Sequence, residues 1–225
     1  CGWREAPPAA SSDRALRRLR RRGAGEERSF HPTPLGRRMA SLPLHPRLGA
    51  LVLSGHSAGL AREAATLAAL VEERDVLAAN RAFGRTAEAP EHDSDLLLRL
   101  ELLEEAVRAG LSRPRLESLG LDPGAVHVVL RLRDALLRRL PAAPRPPHAS
   151  EEDLLRLVLQ GWPDRVARRR RDRPSEAVLT GGTPLAFDPR CAVRRADLVV
   201  VVETVTGTNG PDRIRIASAV ERAWR

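Results

Sequence analysis

The chain contains no lysine and no tyrosine, and every one of its 38 basic residues is arginine. Without lysine there can be no Gly-x-x-x-x-Gly-Lys-Ser/Thr phosphate loop, and no Asp-Glu-x-His segment occurs either, so this sequence does not bind and hydrolyse ATP in the P-loop manner. Its two cysteines, Cys1 and Cys191, are too few for a zinc knuckle or a disulfide framework, and both are expected as free thiols in a reducing compartment. The six histidines are dispersed, with no pair four apart on a helix around a carboxylate, so no metal site is expected. No uncharged apolar run reaches the roughly 18 residues that a membrane span needs, and no apolar signal region opens the chain. The expected compartment is the cytoplasm, with no membrane partner. The only methionine is the internal Met39 and the chain opens Cys1-Gly2-Trp3, so a piece of a longer polypeptide is expected.

What is present suits a globular protein. A length of 225 residues with 42% hydrophobic content supports one large domain or two to three small ones. The net charge of +9 points towards a polyanionic partner such as nucleic acid. The all-arginine usage, with only two isoleucines and two asparagines, is also what a GC-rich genome would impose on any surface.

Along the chain, Ser12 or Asp13 caps a helix through Arg22 with Leu16 and Leu19 inward, and Gly23 supplies its left-handed stop. An extended strand at residues 28–31 follows. Thr33 and Pro34 then open a short helix with Leu35, Met39 and Ala40 on one side, Leu42-Pro43 ends it, and Pro46 opens the next. Helix, strand and helix in residues 1–45 suit a partial winged-helix domain. Three apolar stripes come after it: Leu60, Ala64, Leu67 and Val71; Leu96, Leu100, Leu103 and Val107 behind the Ser94 cap; and Val129, Leu132, Leu136 and Leu140 on a helix that Pro123 begins. They predict a helical bundle over residues 46–147. Residues 78–93 read as a mobile loop and 113–124 as a polar connection, while the proline-rich residues 141–147 form a stiff linker and the clearest boundary.

Residues 148–225 change character. Ser150 and Asp153 form a capping-box start for a helix carrying Leu154, Leu157 and Val158. Strands are then expected at residues 177–179, 185–187, 197–204 and 213–218, the last two as an antiparallel hairpin. Leu198 to Val202 is apolar on both faces and should be a central, covered strand, whereas Ile214 and Ile216 alternate with Arg213 and Arg215. A small curved barrel of the OB type fits this pattern. Gly181-Gly182 and Gly207 to Gly210 read as turns, since no helix start follows them. His45, ahead of Pro46, is expected to bond local backbone. Ser54 to Ser57 lacks the strand and second glycine of a nucleophile elbow.

The strongest chemical signal runs from Trp162-Pro163 through Arg171. Guanidinium groups grip phosphate oxygens in pairs and stack on bases, so a dense cluster entering a barrel suits strand binding, with a solvated basic run as the alternative. A second cluster at residues 17–22 shares its helix with Leu16 and Leu19 and reads as a solvated face.

Residues 163–170, Pro-Asp-Arg-Val-Ala-Arg-Arg-Arg, closely resemble the Pro-Asp-Arg-(Ile/Val)-Ala-x-Arg-Arg signature of the bacterial HrpB helicases, a branch of the DEAH/RHA group. Residues 33–48 resemble the helicase-associated joint of DEAH-box proteins, where a Thr-x-x-Gly helix runs into Leu-Pro-Leu-(Asp/His)-Pro-x-Leu. Residues 68–75, 196–200 and 213–221 resemble further family segments in the same order. Thr180-Gly181-Gly182 stands where the family has an Asn-Gly-Arg-Gly turn, without its Asn and Arg.

The resemblance implies an α+β chain made of a partial winged helix, a ratchet-like helical bundle and a small OB-like β-barrel. It implies single-stranded nucleic acid as partner, RNA favoured, held by Arg165, Arg168, Arg169, Arg170, Thr180, Gly181 and Gly182. It implies no catalytic residue here, with ATP and Mg belonging to two RecA-like motor domains expected before Cys1, and a family-specific region after Arg225. The alternatives are a free-standing winged-helix regulator that reads duplex DNA with Arg37 and Arg38 of its second helix, and a protein-interaction domain with a compositional arginine surface.

Overall fold

The computed structural model describes residues 13, 15–17, 19–20, 23–25, 31–78, 90–142, 149–207 and 210–224. The Ser12 cap, the helix end at residues 21–22, residues 28–30 of the expected first strand, the loop at 79–89, the prolines at 144, 146 and 147 and the turn residues 208–209 lie outside the described residues.

Helix α1 (Pro34–Ala40) starts where the sequence indicates, its Thr33 hydroxyl accepting from the Gly36 N–H at 3.0 Å. Its buried face is not the expected one: Gly36 and Met39 are buried, and Leu35 and Ala40 are exposed. Gly36 is the reason. A Cβ there would lie 2.0 Å from the Ala24 carbonyl oxygen, so the missing side chain lets α1 press its backbone onto residue 24 and turns Leu35 outward. Helix α2 (Pro46–Ser57) follows, and the His45 Nδ1 accepts from the Arg47 N–H at 3.2 Å, the local backbone role expected of it.

The three stripes build the helical core. They lie on α3 (Ala61–Glu72), α4 (Asp95–Arg108) and, after a short α5 (Arg113–Ser118), on α6 (Pro123–Leu137). Leu60, Ala64, Leu67, Leu96, Leu100, Leu103, Val129 and Leu136 are buried, while Val71, Val107, Leu132 and Leu140 pack at the edge. The Ser94 hydroxyl accepts from the Leu96 and Leu97 N–H groups, and Asp122 caps α6 through the Ala125 N–H at 2.7 Å. Helix α5 corrects the polar connection expected at 113–124. Leu116, fully buried, pins it, and one apolar residue in six leaves no periodicity to read. Helix α7 (Glu151–Gly161) has the full capping box between Ser150 and Asp153, and its Leu155, Leu157 and Val158 join the same core. Among the described residues no helix is long and apolar enough to cross a membrane.

After a 3-10 turn at Pro163–Arg165 come β1 (Val166–Arg169), β2 (Glu176–Leu179), β3 (Pro184–Phe187), β4 (Leu198–Val205) and β5 (Arg213–Ala219). They close a barrel in the order β1-β2-β3-β5-β4, with β3–β5 parallel and the other pairs antiparallel. This is a five-stranded OB-type barrel. Four strands fall within one residue of their expected limits. The fifth, β1, was hidden inside the arginine run, because Val166-Ala167-Arg168-Arg169 alternates only once between apolar and basic.

Strand β4 is covered on both faces, as its apolar run requires: Leu198, Val200 and Val202 belong to the helical core, and Val199 and Val201 to the barrel interior. Strand β5 departs from simple alternation. Ile214 enters the barrel interior and Ile216 the helical core, next to register shifts between Val201 and Thr204 on its partner.

Candidate nucleic-acid interface

The candidate region begins at the end of α7. Trp162 is buried with the Arg47 guanidinium 5.9 Å from its ring centre. Arg47 also grips Asp164 with both terminal nitrogens, at 2.7 and 2.9 Å, and donates to the Gly161 carbonyl. Two sequence motifs therefore meet in one ion pair: the Leu-Pro-Leu-His-Pro joint supplies Arg47, and the Pro-Asp-Arg segment supplies Asp164. The pair fixes where β1 leaves the helical core.

The four arginines singled out in the sequence then separate by task. Arg165, half-buried, reaches the Thr204 hydroxyl at 3.4 Å. Arg168 is exposed on the outer face of β1, paired in register with Val178 and Leu198, and makes no ion pair among the described residues. Arg169 points the other way. It donates to the carbonyls of Ala196 at 3.0 Å, Pro174 at 2.6 Å and Val193 at 2.8 Å, and its guanidinium lies 3.8 Å from the Phe187 ring centre. Burial pulls its pKa below the ordinary arginine value, opposed by the neighbouring Cys191 and Asp197. Arg170 holds Asp172 in a two-point pair at 3.1 and 2.6 Å and reaches Glu176 at 3.3 Å.

Thr180, Gly181 and Gly182 form the β2–β3 turn, closed by the Leu179 N–H donating to Thr183 and the Gly182 N–H donating to Leu179. Gly182 sits at φ +84°, which its lack of a side chain permits. Thr180 donates through both its N–H and its hydroxyl to the Val166 carbonyl, so this turn lies beside Arg165 at the start of β1. The loop at 170–175 lies at the other end of β2, roughly 13 Å away for four residues at about 3.3 Å each. The expected residues therefore do not form a single cluster: one group flanks Thr180, the other surrounds Arg170, and Arg168 lies between.

One residue of the arginine run lay outside the expected contact set, and a second feature was not singled out from sequence at all. Arg171, next to Arg170, is exposed and makes no ion pair among the described residues, whereas Arg173 approaches Glu176 at 3.5 Å. The run simply continues past the strand end, which composition alone cannot divide. The second is Asp95, read only as the residue after a cap. Its buried carboxylate accepts from the Ala192 N–H at 2.9 Å, the Ala217 N–H at 3.0 Å and the Cys191 thiol at 3.1 Å, bolting α4 to the barrel. Burial pushes the Asp95 carboxyl above its ordinary pKa, against the Ala192 hydrogen bond and the Arg99 charge that hold it down. Burial and the Asp95 charge raise the Cys191 thiol as well, so it remains a donor. Alongside, Asp75 accepts from Arg99 at 3.0 and 2.8 Å and from Arg215 at 3.4 Å. Burial alone would raise Asp75, but the Arg99 hydrogen bond and charge keep it below its ordinary value.

The chain is thus an α+β protein in which a helical part runs into a closed five-stranded barrel with arginines at one end of its first hairpin. It is similar in structure to HrpB of Escherichia coli, in two solved structures. One, described as a DExH-box NTPase, aligns with a TM-score of 0.63 at 24% identity over 97% of this chain and 22% of its own. The other, described as a DEAH/RHA helicase, aligns with a TM-score of 0.65 at 21% identity over 98% of this chain and 23% of its own. The likeness is one of fold, it agrees with the resemblance carried by residues 163–170, and the chain spans less than a quarter of the helicase's length. No protein-family model and no curated protein matches the chain.

Proposed function

We propose that this chain is the accessory, nucleic-acid-binding portion of a DEAH/RHA-type helicase and guides a single strand for a RecA-like motor elsewhere in the polypeptide. Its parts would be the partial winged helix (1–45), the helical bundle (46–147) and the barrel (148–225), working in the cytoplasm. ATP and Mg would belong to the motor, and no residue here is assigned a covalent step. The observation that carries the reading is the pair Arg168 and Arg171, exposed and without ion pairs among the described residues, on the first strand and first loop of an OB-type barrel. Barrels of this type take oligonucleotides on the strand 2–3 face and the adjoining first loop.

In this reading the strand runs from the Thr180-Gly181-Gly182 turn and Arg165, across Arg168, to Arg170 and Arg171, with RNA favoured. Its phosphates meet the guanidinium groups. Arg169 contributes by holding the barrel end in shape. The fold likeness to a helicase over nearly the whole chain supports this assignment over a duplex-DNA regulator. In α1, Arg37 already donates to the Pro32 carbonyl at 2.8 Å, which leaves little for base readout.

Replacing Arg168 and Arg171 together with alanine should weaken binding of a fluorescein-labelled oligouridine about tenfold and flatten its log–log salt dependence by about 0.7 per lost contact. Thermal stability should stay within about 0.5 kcal/mol of the parent, as for surface charges generally. Fluorescence anisotropy with melting curves on the same samples reads both. A double variant that binds like the parent would place the strand elsewhere.

A further inference from the structure

The loop at 170–175 carries Arg170, Arg171 and Arg173, yet two of the three are occupied within the protein. Asp172 takes Arg170 through both carboxylate oxygens, and Glu176 takes Arg170 at 3.3 Å and Arg173 at 3.5 Å. Asp172 is 63% exposed at its side chain, so it supports no core, and Arg170 beside it is 34% exposed. The loop backbone is held independently of that pair. The Arg170 N–H donates to the Glu176 carbonyl, the Glu176 N–H to Arg173, the Phe187 N–H to Ser175, and Arg169 to the Pro174 carbonyl. A carboxylate is the same kind of two-point acceptor for a guanidinium as a phosphate, and here it sits where a phosphate would dock.

We infer that Asp172 is an internal competitor for the strand's phosphates: in the free protein it occupies Arg170, and strand binding exchanges the carboxylate for a phosphate. The inference rests on the barrel being the strand-binding surface. An exposed pair of this kind is weakly held, so the exchange is easy, but it discounts every encounter by the strength of the Asp172 pair. A lone anion meets a neutralised Arg170, while a run of phosphates already seated on Arg168 and Arg171 delivers the next one at high local concentration. The device therefore favours a continuous sugar-phosphate chain over scattered anions. It also keeps the grip loose enough for a strand that has to move.

The test compares the whole chain with Asp172→Asn and with the double variant Asp172→Asn/Arg170→Ala, titrated into labelled oligouridine across a series of potassium chloride concentrations. Asp172→Asn should bind about two- to fivefold tighter at low salt, with a slope close to the parent's, because Arg170 meets a phosphate in both complexes. Adding Arg170→Ala should remove the gain. Unchanged or weaker binding by Asp172→Asn overturns the inference, as does a double variant that keeps the full gain, since the effect would then come from net charge alone. If the parent chain binds no oligouridine at all, the strand-binding reading fails and this inference falls with it. A parent that binds and an Asp172→Asn that gains nothing overturns this inference only.

Discussion

Replacing Asp95 with alanine is expected to destabilise the chain by about 3–5 kcal/mol, the largest single effect foreseen outside the central leucines. Asp95 is 1% exposed, and its carboxylate receives two backbone N–H groups from the barrel, Ala192 and Ala217, along with the Cys191 thiol. Removing it leaves both amides buried without an acceptor, at about 1–3 kcal/mol each. Part of that loss is offset, because burial already disfavours the charged carboxylate, as its raised pKa records. Asp95→Asn separates hydrogen bonding from charge. One amide oxygen still accepts from one barrel N–H, but the NH2 group faces the other donor, so Asn should recover only part of the loss. Thermal or urea unfolding of the two variants reads this directly. Parent-like stability in Asp95→Ala would show that the barrel is not bolted to α4 through this residue.

Arg169→Ala is expected to cost about 2–4 kcal/mol, because three carbonyls at the barrel end lose a charged donor and Phe187 loses the plate that covers it. Lysine should not rescue it: an ammonium cannot reach three carbonyls in the fixed fork of a guanidinium or lie flat on a ring. With a chain of this size the melting point should fall by about 2–4 °C per kcal/mol. Below that temperature the folded variant should bind single strands within about twofold of the parent. Lost binding with an unchanged melting point would return Arg169 to the strand path. For the same reason a combined replacement of Arg168, Arg169 and Arg170 would mix folding with binding, and the single sites must be read apart.

Much of this architecture was legible in the chain because its signals are local. Thr33 with Pro34, Ser94, and Ser150 with Asp153 each announce a helix start through chemistry within three residues, and each forms the expected cap, while Pro123 opens its helix as expected. The run Leu198 to Val202 announced a strand covered on both sides, and it is. The misses come where a distant group decides. The buried face of α1 was misjudged because Gly36 meets Ala24, a contact that helical periodicity does not contain. Strand β1 was hidden because its inward Arg169 looks basic in sequence, while its guanidinium is satisfied by carbonyls from residues 174, 193 and 196. The roles of Asp95 and Asp164 depend on partners about a hundred residues away, Ala192 and Arg47, which no short motif reveals. The arginine cluster was visible as a cluster, but its division into free, paired and structural members follows from the barrel's register alone.

The most direct test of the central claim is the salt dependence of binding by the intact chain, followed by anisotropy, to a labelled single-stranded RNA and to a duplex of the same sequence. If Arg168 and Arg171 seat phosphates of a single strand, affinity for that strand should fall linearly on a log–log plot with a slope near −0.7 per contact, about −1.4 from these two and steeper by about 0.7 for each of Arg165 and Arg170. The single strand should bind more tightly than the duplex at every salt concentration. Salt-independent binding, equal or tighter binding of the duplex, or no binding of the single strand at low salt would contradict the account.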